Sequence, residues 1–153
     1  MDMNTQTEPN CLIQIDLHSG RRLLPITLSL AQILKRLLVD ANKPTNSKGV
    51  TINFRDPNYS AESGGFHPVE IRLEYSLTTS MWQFCYITDF AYQGRYYPEL
   101  EKDIDFNFTE ASGYQAYVGH HPLSHFSGLY RLWEANFRSY LVDALYQITI
   151  NWD

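Results

Sequence analysis

At 153 residues the chain suits one domain, spanning 1–153, and is long enough to bury a sizeable core without a disulfide or metal staple. Its 44% apolar and 14% aromatic content exclude a disordered chain. Twelve basic residues against 17 acidic ones give a net charge of -5, which removes the clustered cationic surface that nucleic-acid binding needs.

Residues 1–10 are polar and are expected to be loose. They lack a basic segment followed by an apolar one, so no secretory leader is expected and a cytoplasmic protein follows. No apolar run reaches the roughly 20 residues that span a bilayer. CLIQIDL, residues 11–17, is expected to be a short strand, and SGRRLLP a connection. From Ser29, the apolar residues Leu30, Ile33, Leu34, Leu37, Leu38 and Ala41 fall on one helical face. Ser29 with Gln32 has capping-box spacing, and Leu28 with Ile33 suits a hydrophobic staple. NKPTNSKG, residues 42–49, ends that helix.

Strands come next. VTINF sets Val50, Ile52 and Phe54 on one side, and PVEIRLEY sets Val69, Ile71, Leu73 and Tyr75 against Glu70, Arg72 and Glu74. Strict alternation describes a sheet with one wet face, as antiparallel pairing produces. After SLTTS, MWQFCYITDFAY is apolar on both sides and reads as a central strand. IDFNF, TEASG and YQAYV read as a further hairpin. A second helix follows HHPLSHFSG, with Leu129, Leu132, Trp133, Phe137, Tyr140 and Leu141 as its apolar stripe, and LYQITINW closes the chain as a strand. The expected fold is α+β: a twisted antiparallel sheet of about six or seven strands, with an N-terminal and a C-terminal helix on one face.

Four groups of residues invite a chemical reading. The loop from Arg55 to Pro68 gathers Asp56, Ser60, Glu62, Ser63 and His67 between two strands. Gly64-Gly65 lacks the strand-to-helix setting of a phosphate loop, and ESGGF is not a nucleophile elbow. Turn chemistry explains Asp56-Pro57-Asn58 and the glycine pair without catalysis. The alternative is a small hydrolase in which Asp56, His67 and Asp89 meet across neighbouring strands within about 3 Å. His120, His121 and His125 lack the remaining members of a zinc ligand set, so neither metal nor cofactor is expected. Glu70, Glu74 and Asp89 lie on strands, and the outer-face carboxylates read as cross-strand charge partners. Cys11 and Cys85 have no redox or metal spacing and are expected to be reduced. The run PELEKDIDFNFTE places Glu99, Glu101, Asp103 and Asp105 beside Tyr96 and Tyr97. This is the expected binding surface for a protein partner, because negative charge gathers basic groups and aromatics are enriched at interfaces.

NFRDPNYSAESGGFHPVEIRLE, YITDFAYQG and DIDFNF, in that order, resemble the bacterial family of domain of unknown function 2787 (DUF2787). The resemblance is close over residues 50–110 and looser over the flanking helices. It implies a protein of marine gammaproteobacteria and their genomic islands, with no established activity. A member of that family is similar in fold to the mitochondrial acidic matrix proteins, whose human representative is a receptor for the globular heads of complement. Those proteins wrap a twisted antiparallel sheet with terminal helices and form ring-shaped trimers. The resemblance therefore implies a homo-oligomer, a trimer, that binds proteins without catalysis; it supplies no catalytic residue.

Overall fold

A computed structural model describes residues 13–153. The expected loose segment 1–10 and Cys11 lie outside the described residues. Seven antiparallel strands form one sheet: β1 (Gly49–Arg55), β2 (Val69–Ser76), β3 (Met81–Gln93), β4 (Glu99–Asn107), β5 (Ser112–Gln115), β6 (Gly119–Pro122) and β7 (Gln147–Trp152). Their spatial order is β6-β5-β4-β3-β2-β1-β7, so β3 is the middle strand and β7 an edge. Among the described residues three helices accompany them: α1 (Leu17–Arg21), α2 (Leu28–Asp40) and α3 (Ser127–Val142), the last preceded by a 3-10 turn over Leu123–Phe126.

The period-two pattern delivers its promise in the first strands. Val50, Ile52 and Phe54 are fully buried, as are Ile71 and Leu73, while Arg55 and Glu74 are exposed. Against this face lie Leu30, Leu34 and Leu38 of α2 and Tyr130, Trp133 and Phe137 of α3, all members of one core. Phe54 meets Phe137 edge to face with ring centroids 5.0 Å apart, the offset that ring quadrupoles favour.

Several local expectations are corrected. Of the strand expected over 11–17, the described part from Ile13 onward forms none: Ile15 makes a single parallel bridge to Trp82, and α1 begins at Leu17, where Asp16 accepts the amide of Ser19 at 3.0 Å. That bridge occupies the side of β3 which β4 leaves open, since β4 pairing starts only at Tyr86. The cap of α2 is Thr27, whose hydroxyl accepts the amide of Leu30 at 3.1 Å, so Ser29 already lies inside the helix. The strand expected over YQAYV is the earlier and shorter β5, and His120 and His121, ahead of the second helix, lie on a further strand, β6, that no alternation marks. In α3 the buried positions include Tyr130 and Glu134, whereas Leu132 is exposed.

Gly113 of β5 lies opposite Phe106, and a Cβ there would meet the Phe126 ring at 2.4 Å. Phe126 is itself buried, at 3% exposure, so the ring would have to shift within the core. Gly113→Ala is therefore expected to cost about 1–3 kcal/mol by overpacking, read as a lower urea midpoint. Gly128→Ala is the control: outside its chain neighbours and its own helix backbone no described heavy atom lies within 4 Å of the added methyl, and the midpoint should hold or rise slightly.

Candidate functional site

Two one-residue bulges decide which side chains reach the helix side of the sheet. Between β2 and β3 the pairing passes from Arg72 and Tyr86 to Leu73 and Phe84, leaving Cys85 as the extra residue. Its carbonyl accepts the amides of Phe108 and Thr109 at 2.9 and 3.2 Å, which anchors the kink. Beyond it the alternation changes phase, so Ile87 and Asp89 point where Trp82 and Phe84 point. Asp89 pairs with Val69 and is buried under α3, on the opposite face from Glu70 and Glu74. Between β3 and β4 the pairing passes from Asp89 and Ile104 to Phe90 and Lys102, and the extra residue is Asp103. The bulge turns Asp103 toward Asp89.

His67, at the end of the β1–β2 loop, completes this cluster. Its Nδ1 lies 2.7 Å from Asp89 Oδ1 and 3.8 Å from Asp103 Oδ2. The second oxygen of Asp89 accepts the indole N–H of Trp133 at 2.9 Å, which ties the cluster to α3. The hydrogen bond to Asp89 raises the pKa of His67; burial opposes the rise, and the charges of Asp89 and Asp103 add to it. Burial, and next the charge of Asp89, raises the pKa of Asp103, while His67 acts the other way. The cluster opens into a cavity of about 200 Å³ lined by Phe66, His67, Asp89, Trp133, Asn136, Tyr140 and Tyr146, among others.

Asp56 has a different setting. It is buried, Oδ1 accepts the amide of Asn58 at 2.9 Å and Oδ2 the amide of Phe66 at 3.0 Å, so its carboxylate organises the loop. Gly65, at φ +135°, lets that approach happen: a Cβ would come 2.8 Å from Asp56 Oδ2 and 3.0 Å from the Tyr59 Cα. Ser60 and Ser63 bond each other at 2.6 Å, and Glu62 is exposed. Tyr59 returns the loop to the sheet, its hydroxyl accepting the amide of Tyr92 at 2.9 Å.

The other singled-out residues are dispersed. His121 stacks on His125 with ring centroids 4.3 Å apart, His120 lies tilted against Tyr114 at 4.8 Å, and among the described residues no further ligand type joins them at metal-binding distance. Glu70 accepts the hydroxyl of Tyr86, and burial with this bond raises the tyrosine's pKa. Asp105 accepts the Thr88 hydroxyl at 2.6 Å. Burial pushes the Cys85 thiol up to about 11, with Glu74 adding, so it stays protonated at neutral pH.

Residues 94–102 are all exposed, so the tip of the β3–β4 hairpin is a ribbon with no covering layer. It carries Tyr96 at 79% and Tyr97 at 88% exposure, with Arg95 over the Tyr96 ring. Register sets Leu100 opposite Tyr92 and Glu101 opposite Ala91, which gives the ribbon an apolar side and an acidic one. The apolar side borders a groove of about 450 Å³, whose lining includes Tyr59, Pro68, Phe90, Tyr92 and Leu100, with Arg55 and Glu70. Sequence reasoning named the tyrosines and acids but missed this groove, because it needs the β1–β2 loop folded beside the ribbon.

The α+β architecture, an antiparallel sheet covered on one face by helices, carries a small titratable cluster and an uncovered aromatic ribbon, which defines a class by fold and not by reaction. The chain belongs to the family described as protein of unknown function (DUF2787), whose model matches residues 28–151. Two solved structures from Vibrio cholerae are similar to it. One is a hypothetical protein of the VSP-II pathogenicity island, 41% identical, covering 84% of this chain and 95% of that one with a TM-score of 0.75. The other is a conserved hypothetical protein of pathogenicity island VPI-2, 39% identical, covering 84% of this chain and 96% of that one, also at 0.75; that structure is described as sharing structural homology with the human P32 protein. No curated protein matches this chain. Among the described residues no helix is long and apolar enough to cross a membrane.

Proposed function

We propose that the protein is a non-enzymatic binding protein, a single domain over 1–153 that works in the cytoplasm as a homo-oligomer and holds a protein partner against the ribbon from Tyr92 to Glu101. The observation that carries this reading is the exposure of Tyr96 and Tyr97 at the tip of a ribbon whose residues 94–102 are all exposed. Large aromatics so placed contribute nothing to the core, and contact surfaces are where such residues concentrate. The groove beside Leu100 supplies an apolar seat, and Glu99 and Glu101 supply charge on the other side. A segment with an apolar anchor flanked by Lys or Arg fits both. Of the acids named from the sequence, Asp103 and Asp105 are engaged within the fold by His67 and Thr88, so Glu99 and Glu101 carry the charge offered to a partner. Trimeric assembly follows from the resemblance to the acidic matrix proteins, supported by the P32 likeness of a 39% identical neighbour.

A photo-crosslinking residue at Tyr97, compared with one at exposed Lys35 on α2, tests the surface in cells. A discrete adduct from position 97, absent from position 35 and diminished by Glu99→Lys with Glu101→Lys, is expected. No adduct, or equal adducts from both positions, overturns the assignment. Light scattering on the purified chain tests the trimer separately.

The His67–Asp89 pair favours a second reading, a small hydrolase. With Nδ1 held by the carboxylate, Nε2 is oriented to take a proton from water. The lining of the adjoining cavity holds no Ser, Thr or Cys, so water would be the attacking group. His67→Ala should then abolish any turnover of model esters or phosphodiesters, and turnover that survives it removes this reading.

A further inference from the structure

We propose that His67, Asp89 and Asp103 form a binding site for a first-row divalent transition cation, independent of the partner surface. One ligand atom from each lies within 4.8 Å of the others. The His67 nitrogen is 2.7 and 3.8 Å from the two carboxylate oxygens. A cation with bonds of about 2.0–2.2 Å holds neighbouring ligands a little over 3 Å apart, so small side-chain adjustments complete the set. One imidazole and two carboxylates suit Zn²⁺ or Mn²⁺ better than Mg²⁺, which prefers oxygen and water alone.

Three features distinguish the cluster from a chance grouping of acids. Asp103 is delivered by a bulge, the irregularity that re-aims a side chain out of strand alternation. Asp89 is oriented from behind by the buried indole N–H of Trp133, the outer contact that ligating carboxylates characteristically have. The site is open to solution on one side, His67 and Asp103 side chains being 38% and 31% exposed, so a cation can enter and water can fill its remaining positions. Among the described residues, His67 is the one basic side chain that pairs with the two carboxylates. A divalent ion would replace the proton shared along the His67–Asp89 hydrogen bond, leaving the imidazole bound through Nδ1 with its hydrogen on Nε2.

The test is calorimetric titration of the chelator-stripped full chain with ZnCl₂, MnCl₂ and MgCl₂. One saturable site per chain is expected, Zn²⁺ tightest and Mg²⁺ weakest. Asp103→Asn, at a part-exposed position that tolerates an amide, should weaken Zn²⁺ at least ~10-fold, while a His121→Ala, His125→Ala double variant leaves it unchanged. Mn²⁺ should broaden the Trp133 indole N–H resonance in the wild type and not in Asp103→Asn. Absence of saturable Zn²⁺ binding, equal affinity in Asp103→Asn, or loss only in the His121/His125 variant overturns the site.

Discussion

Glu134→Ala is expected to lower the free energy of unfolding by about 3–5 kcal/mol, as much as truncating a buried aliphatic core residue. Glu134 is 1% exposed and takes four donors: the Thr27 amide and the Arg138 Nε at 2.9 and 2.8 Å, and the hydroxyls of Thr27 and Tyr130 at 2.7 and 2.9 Å. Thr27 is at the same time the cap of α2, so one carboxylate on α3 fixes the residue that starts the other long helix. Truncation leaves two part-buried donors of Thr27 and the buried Tyr130 hydroxyl without their acceptor, the hydroxyl alone costing about 1–3 kcal/mol and the Thr27 donors less where water reaches them. Arg138, part exposed, can turn to water. Glu134→Gln keeps the shape and two acceptor positions and should lose roughly half as much. Urea titrations of the three proteins decide it; an Ala variant within 1 kcal/mol of wild type would show that the α2–α3 junction does not depend on this carboxylate.

Thr27 and Glu134 also show where sequence reasoning stops. The apolar stripe of α2 and the alternation of β1 and β2 are local periodicities, and Leu30, Leu34, Leu38, Val50, Ile52 and Phe54 are buried as those periods require. The cap is not local: Ser29 has the better box spacing, but Thr27 wins because Glu134, 107 residues away, holds both its amide and its hydroxyl. A glutamate on a helix reads as solvated until its partners are known. In the candidate cluster His67 and Asp89 were legible as chemical residues, but Asp89 was grouped with strand acids that lie on the other face. A continuous alternation from Trp82 onward cannot reveal that Cys85 adds a residue and inverts the phase. Asp103 read as one of a run of acids for the same reason, since its inward turn depends on a bulge that no composition marks.

Asp89→Ala is expected to cost about 2–4 kcal/mol, and Asp89→Asn about 1 kcal/mol, in chelator-stripped protein. Alanine leaves the buried Trp133 indole N–H and the part-exposed His67 Nδ1 without their acceptor. Asparagine still offers the indole a carbonyl oxygen, and its amide can donate to a neutral His67, so geometry survives while the charge is lost. The two variants therefore separate packing from electrostatics. The sign of the pH dependence follows from His67, whose pKa is raised in the folded state above the 6.5 of the free group. The folded chain holds that proton more tightly than the unfolded one, so the stabilisation is fully present below the unfolded value and is lost as pH rises through the folded one. Asp89 from β3 and Asp103 from β4 are the charges that face the ring, and Tyr59 packs beside it. The stability difference between wild type and Asp89→Asn should consequently be larger at about pH 5.5 than at about pH 8.5. In parallel, the His67 ring resonance of the wild type should titrate above its position in the Asn variant. A difference independent of pH, or equal His67 midpoints in the two proteins, would mean that Asp89 serves only to fill and bond the space under Trp133.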